Sequence, residues 1–225
     1  MTRFKRTKKI TNIVTILLIS TIVSLVSVSP AYTWPVESYR NFRYKHVQIQ
    51  DTLSSCGPAS LATLMTNFYG KKKTEEDIVE MVKPYLDESI EKLEDGELPE
   101  GGVSMLDLRK VSKKLGVPTK GYEIPEKNLL SIMGDLKTPL LIYLEQPTEH
   151  FALTVGGYKG KVIMADPSLG IRIIAQNDLY DKWDGLILAF SPNRDYKSQA
   201  YKVIKDIKHK VKERNRTKSL AREFL

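Results

Sequence analysis

The stretch that decides the fold is HFALTVGGYKGKVIMADP, residues 150–167. It consists of two runs rich in apolar and β-branched residues, and these runs are separated by Lys159-Gly160. Such a pattern predicts an antiparallel hairpin with a turn at the Lys-Gly pair. Because the two open ends of a hairpin lie side by side, His150 at its start and Asp166 at its end are predicted to be neighbours in space.

Outside this hairpin, β-rich patterns continue toward the C-terminus, and helical patterns occupy the first half of the chain. Strands are predicted over residues 139–144, 151–156, 161–165, 171–175 and 186–190, with a short earlier one over 117–124. Helices are predicted over residues 56–69, 74–84, 104–116 and 125–134, whereas residues 35–55 are predicted to be extended or looped. This segregation indicates an α+β fold in which N-terminal helices pack on a C-terminal antiparallel β-sheet.

The first 33 residues have the pattern of a targeting segment. Residues 1–9 carry five basic and no acidic side chains, and an uncharged stretch from Ile10 to Val36 follows them. A basic region followed by a short apolar region is typical of a secretory signal peptide, with an uncleaved membrane anchor as the alternative. In both cases the rest of the chain is predicted to be exported to the periplasm or the exterior, because the basic end stays on the cytoplasmic side.

The net charge of +8 arises at the two ends of the chain. Residues 194–225 hold eleven basic and four acidic side chains, so the stretch between the two basic ends has a net charge of −4. Residues 34–193 are therefore predicted to form one mildly acidic domain that does not bind nucleic acid specifically.

Residues 194–225 are predicted to form a basic C-terminal helix or tail. Apolar residues recur in it at intervals of three or four, namely Ala200, Val203, Ile207 and Val211. Two interpretations remain open: the helix packs partly on the domain, or it lies on an anionic membrane surface.

The one cysteine of the chain, Cys56, lies in the segment QDTLSSCGPASL, residues 50–61. A helix is predicted to begin at this cysteine, so the unpaired N–H groups and the positive end of the helix would favour its reactive thiolate form. Ser54 or Ser55 is expected to cap the helix, and Gly57 is expected to leave room for a substrate backbone beside the sulfur. The alternative is a small, buried and unreactive cysteine.

Gln50 lies six residues before the cysteine. Its side-chain amide and the backbone N–H of Cys56 are predicted to form an oxyanion hole, which is a pair of donors aimed at the negative oxygen of an acyl-transfer intermediate. Gln48 is a rival for this role, because residues two apart on a strand point to the same side. The alternative for Gln50 is an ordinary polar residue on the surface.

His150 is the candidate general base among three histidines, since His46 lies near the start of the domain and His209 in the basic tail. Asp166 would accept a hydrogen bond from one ring nitrogen of His150 and leave the other nitrogen facing the thiol. A histidine on a strand can also be purely structural, and an Asp-Pro pair can simply open a turn. One cysteine and three scattered histidines show no zinc-binding spacing, so neither a metal nor an organic cofactor is predicted.

These residues as a set resemble the bacteriocin-processing, double-glycine-leader cysteine peptidases, a papain-like family. That family shows a glutamine six residues before a Cys-Gly pair, then a histidine that opens an apolar strand followed by Gly-Tyr, and then Asp-Pro. The matching residues here are Gln50, Cys56-Gly57, His150-Phe151, Gly157-Tyr158 and Asp166-Pro167. The resemblance covers about residues 45–190. It implies a papain-like fold and a cysteine peptidase in which Cys56, His150, Asp166 and Gln50 are catalytic.

The chain also departs from the family pattern in two ways. Ser55 stands where many members have an aspartate before the nucleophile. Many members are domains of ATP-driven peptide exporters, whereas this sequence has no Walker A pattern and is predicted to be a stand-alone, exported member. Its predicted partners are a peptide or protein substrate and a peptide exporter, and cleavage after Gly-Gly remains open. The alternatives are a module that binds leader peptides without cutting them, or a papain-like acyl transferase or amidase.

Overall fold

In a computed structural model that describes residues 39–86, 98–99, 101–145 and 148–223, the chain forms a six-stranded antiparallel sheet with helices on both faces. The helices are α1 (Tyr39–Tyr44), α2 (Cys56–Thr63), α3 (Glu75–Val82), α4 (Met105–Lys114), α5 (Leu129–Leu136), α6 (Gln176–Tyr180) and α7 (Arg194–Glu223). The strands are β1 (Thr119–Glu123), β2 (Leu140–Leu144), β3 (His150–Tyr158), β4 (Lys161–Asp166), β5 (Gly170–Ala175) and β6 (Leu186–Phe190). A π-helical segment, Leu64–Phe68, extends α2, and the strand order in the sheet is β1-β6-β2-β3-β4-β5.

The predicted targeting segment, residues 1–33, lies outside the described residues. Its assignment as a signal peptide or an anchor, and the domain boundaries at residues 34 and 193, therefore stay predictions. Within the described ranges, no helix is both long enough and apolar enough to cross a membrane.

Side chains alternate between the two faces of the sheet, so the sheet separates two apolar clusters. Along β3, Phe151 and Leu153 belong to the cluster that α2, α3, α4 and α7 cover, and Ala152 belongs to the cluster that α5 and α6 cover. Burial on both faces explains why the central strands read as almost continuous apolar runs. The prediction of an α+β fold, with N-terminal helices on a C-terminal antiparallel sheet, is confirmed.

Two of the predicted helices begin with reciprocal capping boxes. At α4, the hydroxyl of Ser104 accepts a hydrogen bond from the backbone N–H of Asp107, and the Asp107 carboxylate accepts one from the backbone N–H of Ser104. Thr74 and Asp77 make the same pair of bonds at the start of α3. Each box satisfies two N–H groups that the helix itself leaves unpaired, so it determines where the helix begins.

The prediction that residues 35–55 are extended or looped is wrong for Tyr39–Tyr44, which form α1. Phe42 of this helix packs against the core, and the guanidinium carbon of Arg214 in α7 lies 5.4 Å from the centre of the Phe42 ring. A helix as short as α1 depends on such tertiary contacts for its stability. The partner residue comes from the far end of the chain, which no local pattern can indicate.

The C-terminal helix α7 packs on the domain through its apolar side. Its buried residues in the first apolar cluster include Ala200, Val203, Ile207 and Val211. Of the two interpretations of this segment, the helix packed on the domain is the one that the structure shows. Any contact of α7 with an anionic membrane would therefore rest on its exposed lysines and arginines alone.

Candidate active site

Cys56 is the first residue of α2, and it lines a small cavity of about 70 Å³. Only 7% of the residue is exposed. The backbone N–H of Phe151 donates to its Sγ over 3.4 Å, and the side chain of His150 hydrogen-bonds to it as well. His150 also lines the cavity. The thiol therefore belongs to the first apolar cluster, but it also borders a cavity that it shares with an imidazole.

The loop before α2 does not cap the helix in the expected way. Ser55 occupies the N-cap position, but its side chain makes no capping hydrogen bond. Its hydroxyl instead donates to the carbonyl of Thr52 and accepts from the backbone N–H of Thr52, both over 3.0 Å. The Ser54 hydroxyl lies 3.4 Å from the Thr52 hydroxyl. The capping expectation is therefore wrong, because the hydroxyls of both serines are used within the turn of the loop.

A buried carboxylate, Glu75, holds the same loop. It is the first residue of α3, and both of its oxygens accept the backbone N–H of Asp51 over 3.1 Å. Burial raises the pKa of Glu75, and the hydrogen bond from the backbone N–H of Asp51 offsets part of that effect. The carboxylate thereby positions the loop between Gln50 and Cys56. Sequence analysis missed Glu75, because it is one of three consecutive acidic residues and only the fold distinguishes it.

Gly57 serves helix packing rather than substrate access. A Cβ atom at this position would lie 2.8 Å from Cγ2 of Val103 and 3.1 Å from side-chain carbons of Leu108 and Phe151. The expectation that Gly57 leaves room for a substrate backbone is therefore wrong, since protein side chains fill that space. The missing side chain instead lets α2 approach α4 and β3 closely, which positions Cys56 against the start of β3.

The hairpin of β3 and β4 places His150 beside Asp166, as the sequence analysis predicted. The imidazole Nε2 lies 3.0 Å from Oδ1 of Asp166. Lys159 and Gly160 form the turn, with positive φ angles of 49° and 70°. Positive φ at both central residues is the conformation that joins two twisted strands with the shortest loop. The local turn chemistry therefore brings the two open ends of the hairpin together.

A bulge in this hairpin decides which side of the sheet Asp166 faces. The pairing of β3 with β4 shifts by one residue between Thr154 and Gly156. Successive residues of a strand point to opposite faces, so a shift of one residue exchanges the faces of one strand relative to its partner. With the shift, Asp166 is on the same side as His150, and without it the carboxylate would point away from the ring.

The contact between His150 and Asp166 favours the charged form of both side chains. Burial alone would lower the pKa of His150, but its hydrogen bonds to Asp166 and Cys56 and their negative charge raise that pKa to about 9. Burial would also raise the pKa of Asp166, yet the imidazole and the charge of Arg172 hold it below its usual value. Nε of Arg172 lies 2.9 Å from Oδ2 of Asp166, and the backbone N–H of Ser168 donates to Oδ1 over 3.0 Å. These contacts therefore favour the protonated ring, which lies between the carboxylate and the sulfur.

Gln50 lies next to the turn that follows Asp166 but is not among the residues that line the small cavity. Its backbone N–H donates to the carbonyl of Pro167 over 3.2 Å, and its side-chain oxygen accepts from the hydroxyl of Ser168 over 2.7 Å. Its side-chain NH₂ donates to the carbonyl of Thr52 over 2.8 Å, which uses one of two N–H donors. The oxyanion role of Gln50 stays a prediction.

The rival residues make other contacts. The side chain of Gln48 donates to the carbonyl of Lys73 over 2.7 Å. Nε2 of His46 lies 3.0 Å from Oδ2 of Asp206 on α7, so the two form a second His–Asp pair. His209 is exposed on α7. None of these residues lines the cavity at the cysteine.

A larger groove continues from the small cavity. The residues that line both are Gly101, Gly102, Val103, Tyr143 and Phe151. The groove has a volume of about 890 Å³, and Leu86, Met105 and Leu186 add apolar walls to it. The pKa of Tyr143 is raised to about 12, mainly by burial and secondly by a hydrogen bond to Glu149. The phenol at the junction of the cavity and the groove is therefore neutral at physiological pH.

The chain matches the family model described as the Peptidase C39 family over residues 87–195, a range that includes His150 and Asp166 and begins after Cys56. It is 28% identical over 155 residues to "Probable functional amyloid protease FapD" of Pseudomonas fluorescens, and this match covers 68% of the chain and 64% of that protein. It is 26% identical over 160 residues to the "Transport/processing ATP-binding protein ComA" of Streptococcus pneumoniae, covering 69% of the chain and 20% of that protein. The chain thus spans less than two thirds of the length of these curated relatives.

Solved structures show the same fold. The peptidase domain of Streptococcus ComA, a bi-functional ABC transporter, superposes with a TM-score of 0.54 at 21% identity, covering 66% of this chain and 98% of that domain. A double glycine motif protease from an AMS/PCAT transporter, solved with its leader peptide, gives a TM-score of 0.50 at 22% identity, covering 65% of this chain and 91% of that one. The family resemblance and the papain-like peptidase fold predicted from the sequence are confirmed.

Proposed function

Because this chain matches the Peptidase C39 family model over residues 87–195, we propose that it is a cysteine endopeptidase with Cys56 as nucleophile, His150 as base and Asp166 as the residue that orients the base. The observation that carries this proposal is the row of contacts from the sulfur through the imidazole to the carboxylate, with 3.0 Å between Nε2 and Oδ1. A carboxylate bound to one ring nitrogen selects the tautomer and leaves the other nitrogen for the thiol. Nucleophile, base and orienting group are the three parts that thiol catalysis needs.

In the proposed reaction, His150 holds the proton of Cys56, and the thiolate attacks the carbonyl carbon of the scissile peptide bond. As the C–S bond forms, the carbonyl electrons move to oxygen and give a tetrahedral oxyanion. His150 then donates its proton to the leaving amine, and the C–N bond breaks to leave a thioester on Cys56. Water gives a proton to His150, attacks the thioester, and releases the acid and the thiol.

The oxyanion is proposed to accept hydrogen bonds from the backbone N–H of Cys56 and from the side chain of Gln50. The Cys56 N–H belongs to the first turn of α2, where a helix supplies no acceptor of its own. The support for Gln50 is its place beside the turn that follows Asp166 and its second amide N–H. One oxyanion donor stabilises the transition state by about 2.7–4 kcal/mol, so Gln50→Ala should lower kcat about 100-fold or more with little change in KM.

We propose that the substrate is a peptide with small residues at the scissile bond, with Gly-Gly leader peptides as the first candidates. The support is the volume of the cavity at Cys56, about 70 Å³, which leaves little space for a side chain beside the sulfur. The adjoining groove has apolar walls that suit apolar side chains elsewhere in the same peptide. The similar double glycine motif protease was solved with a leader peptide, which supports the same substrate class here.

We further propose that the protein acts outside the cytoplasm in a process that includes a peptide exporter. The support is the signal-like pattern of residues 1–33 and the similarity to a transport/processing protein. Exposed basic side chains of α7 would add attraction to an anionic membrane surface. Fractionation of cells that express the full chain, with mass spectrometry of its N-terminus, tests export and signal removal.

The peptidase proposal is tested with the full-length chain and peptides that differ only in a central Gly-Gly, Ala-Ala or Val-Val pair. We expect cleavage after Gly-Gly, none in Cys56→Ala, and a severe loss in His150→Ala. His46→Ala is the matched control, since His46 also pairs with an aspartate but does not line the cavity. Product masses with and without an added amine distinguish hydrolysis from acyl transfer. Binding of the Gly-Gly peptide without cleavage would instead favour a leader-binding module.

A further inference from the structure

A second cavity, of about 480 Å³, is lined by residues of α1, the hairpin of β3 and β4, β5 and α7. Five of its lining residues are cationic, namely Arg43, Lys159, Lys161, Arg172 and Arg214. Among the described residues that line it, none is acidic. We propose that this cavity binds an anionic ligand that carries two or more phosphate groups.

The charge of the cavity favours such a ligand. Like charges that a fold brings close together repel, and this repulsion is larger beside low-dielectric protein than in water. The carboxylate of Asp166 pairs with Arg172, so part of this positive charge is already balanced. A multiply charged anion gains more from the cations that line the cavity than a single negative charge does. Guanidinium groups donate two parallel N–H bonds to a phosphate, and arginine is favoured over lysine where this geometry matters. Three of the five cations are arginines, which indicates phosphate rather than a diffuse attraction to anions.

Aromatic rings hold two of these cations in place. The guanidinium carbon of Arg214 lies 5.4 Å from the ring centre of Phe42, and Nζ of Lys159 lies 5.7 Å from that of Tyr158. A cation above a ring face loses side-chain freedom before any ligand arrives, so binding costs less conformational entropy. Buried Ile171 supplies part of an apolar wall, which lowers the competition from water for a bound phosphate.

The cations come from five separate parts of the chain, so no basic motif in the sequence marks the site. Arg43 lies on α1, Lys159 in the turn between β3 and β4, Lys161 on β4, Arg172 on β5 and Arg214 on α7. Two of them, Lys159 and Lys161, flank the glycine at the tip of the hairpin whose open end carries His150 and Asp166. The cavity therefore extends from the tip of this hairpin along β5 to Ile171 and Arg172, close to Asp166.

Arg172 connects the cavity to the catalytic pair. It lines the cavity, and its Nε lies 2.9 Å from Oδ2 of Asp166. A phosphate on the same guanidinium adds negative charge near His150, which favours the imidazolium. Anion binding should therefore move the alkaline limit of peptidase activity to higher pH. This consequence rests on the proposed peptidase function, but the binding itself does not.

Binding is tested with the full-length Cys56→Ala protein, so that the result is independent of catalysis. Inorganic phosphate, pyrophosphate and tripolyphosphate are titrated by calorimetry at constant ionic strength. We expect one saturable site whose affinity rises along that series. The exposed pair Lys159→Ala plus Lys161→Ala should weaken pyrophosphate binding about tenfold or more, as expected for the loss of charge-assisted hydrogen bonds. Lys113→Ala plus Lys114→Ala removes the same charge from an exposed part of α4 and should change the affinity less than about twofold.

Vesicles distinguish a lipid headgroup from a soluble phosphate ligand. Phosphatidylcholine vesicles with and without cardiolipin, a lipid with two phosphates, are the probes. Binding only to the cardiolipin vesicles, released by pyrophosphate and lost in the Lys159/Lys161 variant, identifies a headgroup. Pyrophosphate binding without vesicle binding identifies a soluble ligand, and both results support the site. The proposal is overturned if pyrophosphate shows no saturable binding, or if the Lys113/Lys114 variant loses as much affinity as the cavity variant.

Discussion

His150 Nε2 lies 3.0 Å from Asp166 Oδ1, at the open end of a hairpin whose pairing is shifted by one residue. Asp166→Asn is expected to lower kcat/KM about 100-fold or more, because an amide can donate to the ring and stabilise the wrong tautomer. The measurement is steady-state cleavage of a Gly-Gly peptide. Asp206→Asn is the control, since it alters the second His–Asp pair in the same way. Full activity in Asp166→Asn would remove the carboxylate from the mechanism, and equal losses in both variants would indicate a folding defect.

The raised pKa of His150 predicts the alkaline limit of activity. Below its pKa of about 9 the ring carries the proton that the leaving amine needs, and above that pH it does not. The value of kcat/KM should therefore fall as pH rises through about 9, because His150 then has no proton to donate to the leaving amine. A kcat/KM profile that stays flat well above that pH would contradict the assignment of His150 as the proton donor to the leaving amine.

The same pKa shift predicts that the folded state becomes less stable as the pH rises. The folded pKa of about 9 lies above the ordinary histidine value of 6.5, so protonation of His150 stabilises the folded state. This stabilisation is complete below about pH 6.5 and is lost as pH rises toward about 9. Thermal unfolding of the wild type and His150→Gln across this range measures it. The difference in Tm between the two proteins should shrink with rising pH. A difference that grows with pH would contradict the prediction that protonated His150 stabilises the fold.

Glu75→Gln is expected to lower kcat about 10- to 100-fold while KM changes little, because small displacements of catalytic groups are costly. The amide offers one oxygen in place of two to the N–H of Asp51, so the loop between Gln50 and Cys56 is held less firmly. Glu76→Gln changes an exposed neighbour and is the control. Steady-state kinetics measures the loss of activity, and urea unfolding shows whether the variant also loses stability. A higher KM at constant kcat would instead place Glu75 in substrate binding.

Gly57→Ala is expected to destabilise the fold by about 1–3 kcal/mol, because the added methyl overpacks the contact with Val103. Activity should fall as well, since Cys56 moves with the helix. Gly134→Ala is the control: its Cβ position has no atom within 4 Å apart from the neighbouring residues and backbone of its own helix, and an alanine in α5 should stabilise by about 0.4–1 kcal/mol. Urea unfolding measures both. An unchanged midpoint for Gly57→Ala would show that α2 can shift without cost.

What the sequence by itself determined is local in origin. The Ser104 and Thr74 caps each place a helix start through a partner three residues away, and the Lys159-Gly160 turn aligns the strands on either side of it. Because a hairpin needs only its own turn and alternation, the meeting of His150 and Asp166 was also predictable. These features depend on short-range sterics and hydrogen bonds, which a stretch of a few residues contains completely.

Only the tertiary structure decided which way these groups face and what surrounds them. The bulge that turns Asp166 toward His150, the burial of Glu75 against the loop at Asp51, and the packing that fills the space beside Gly57 each depend on segments far apart in the chain. The same is true of the cavity with five cations. Such contacts form because the whole core must be filled without overlap, and that condition acts on all elements at once rather than on any single stretch of sequence.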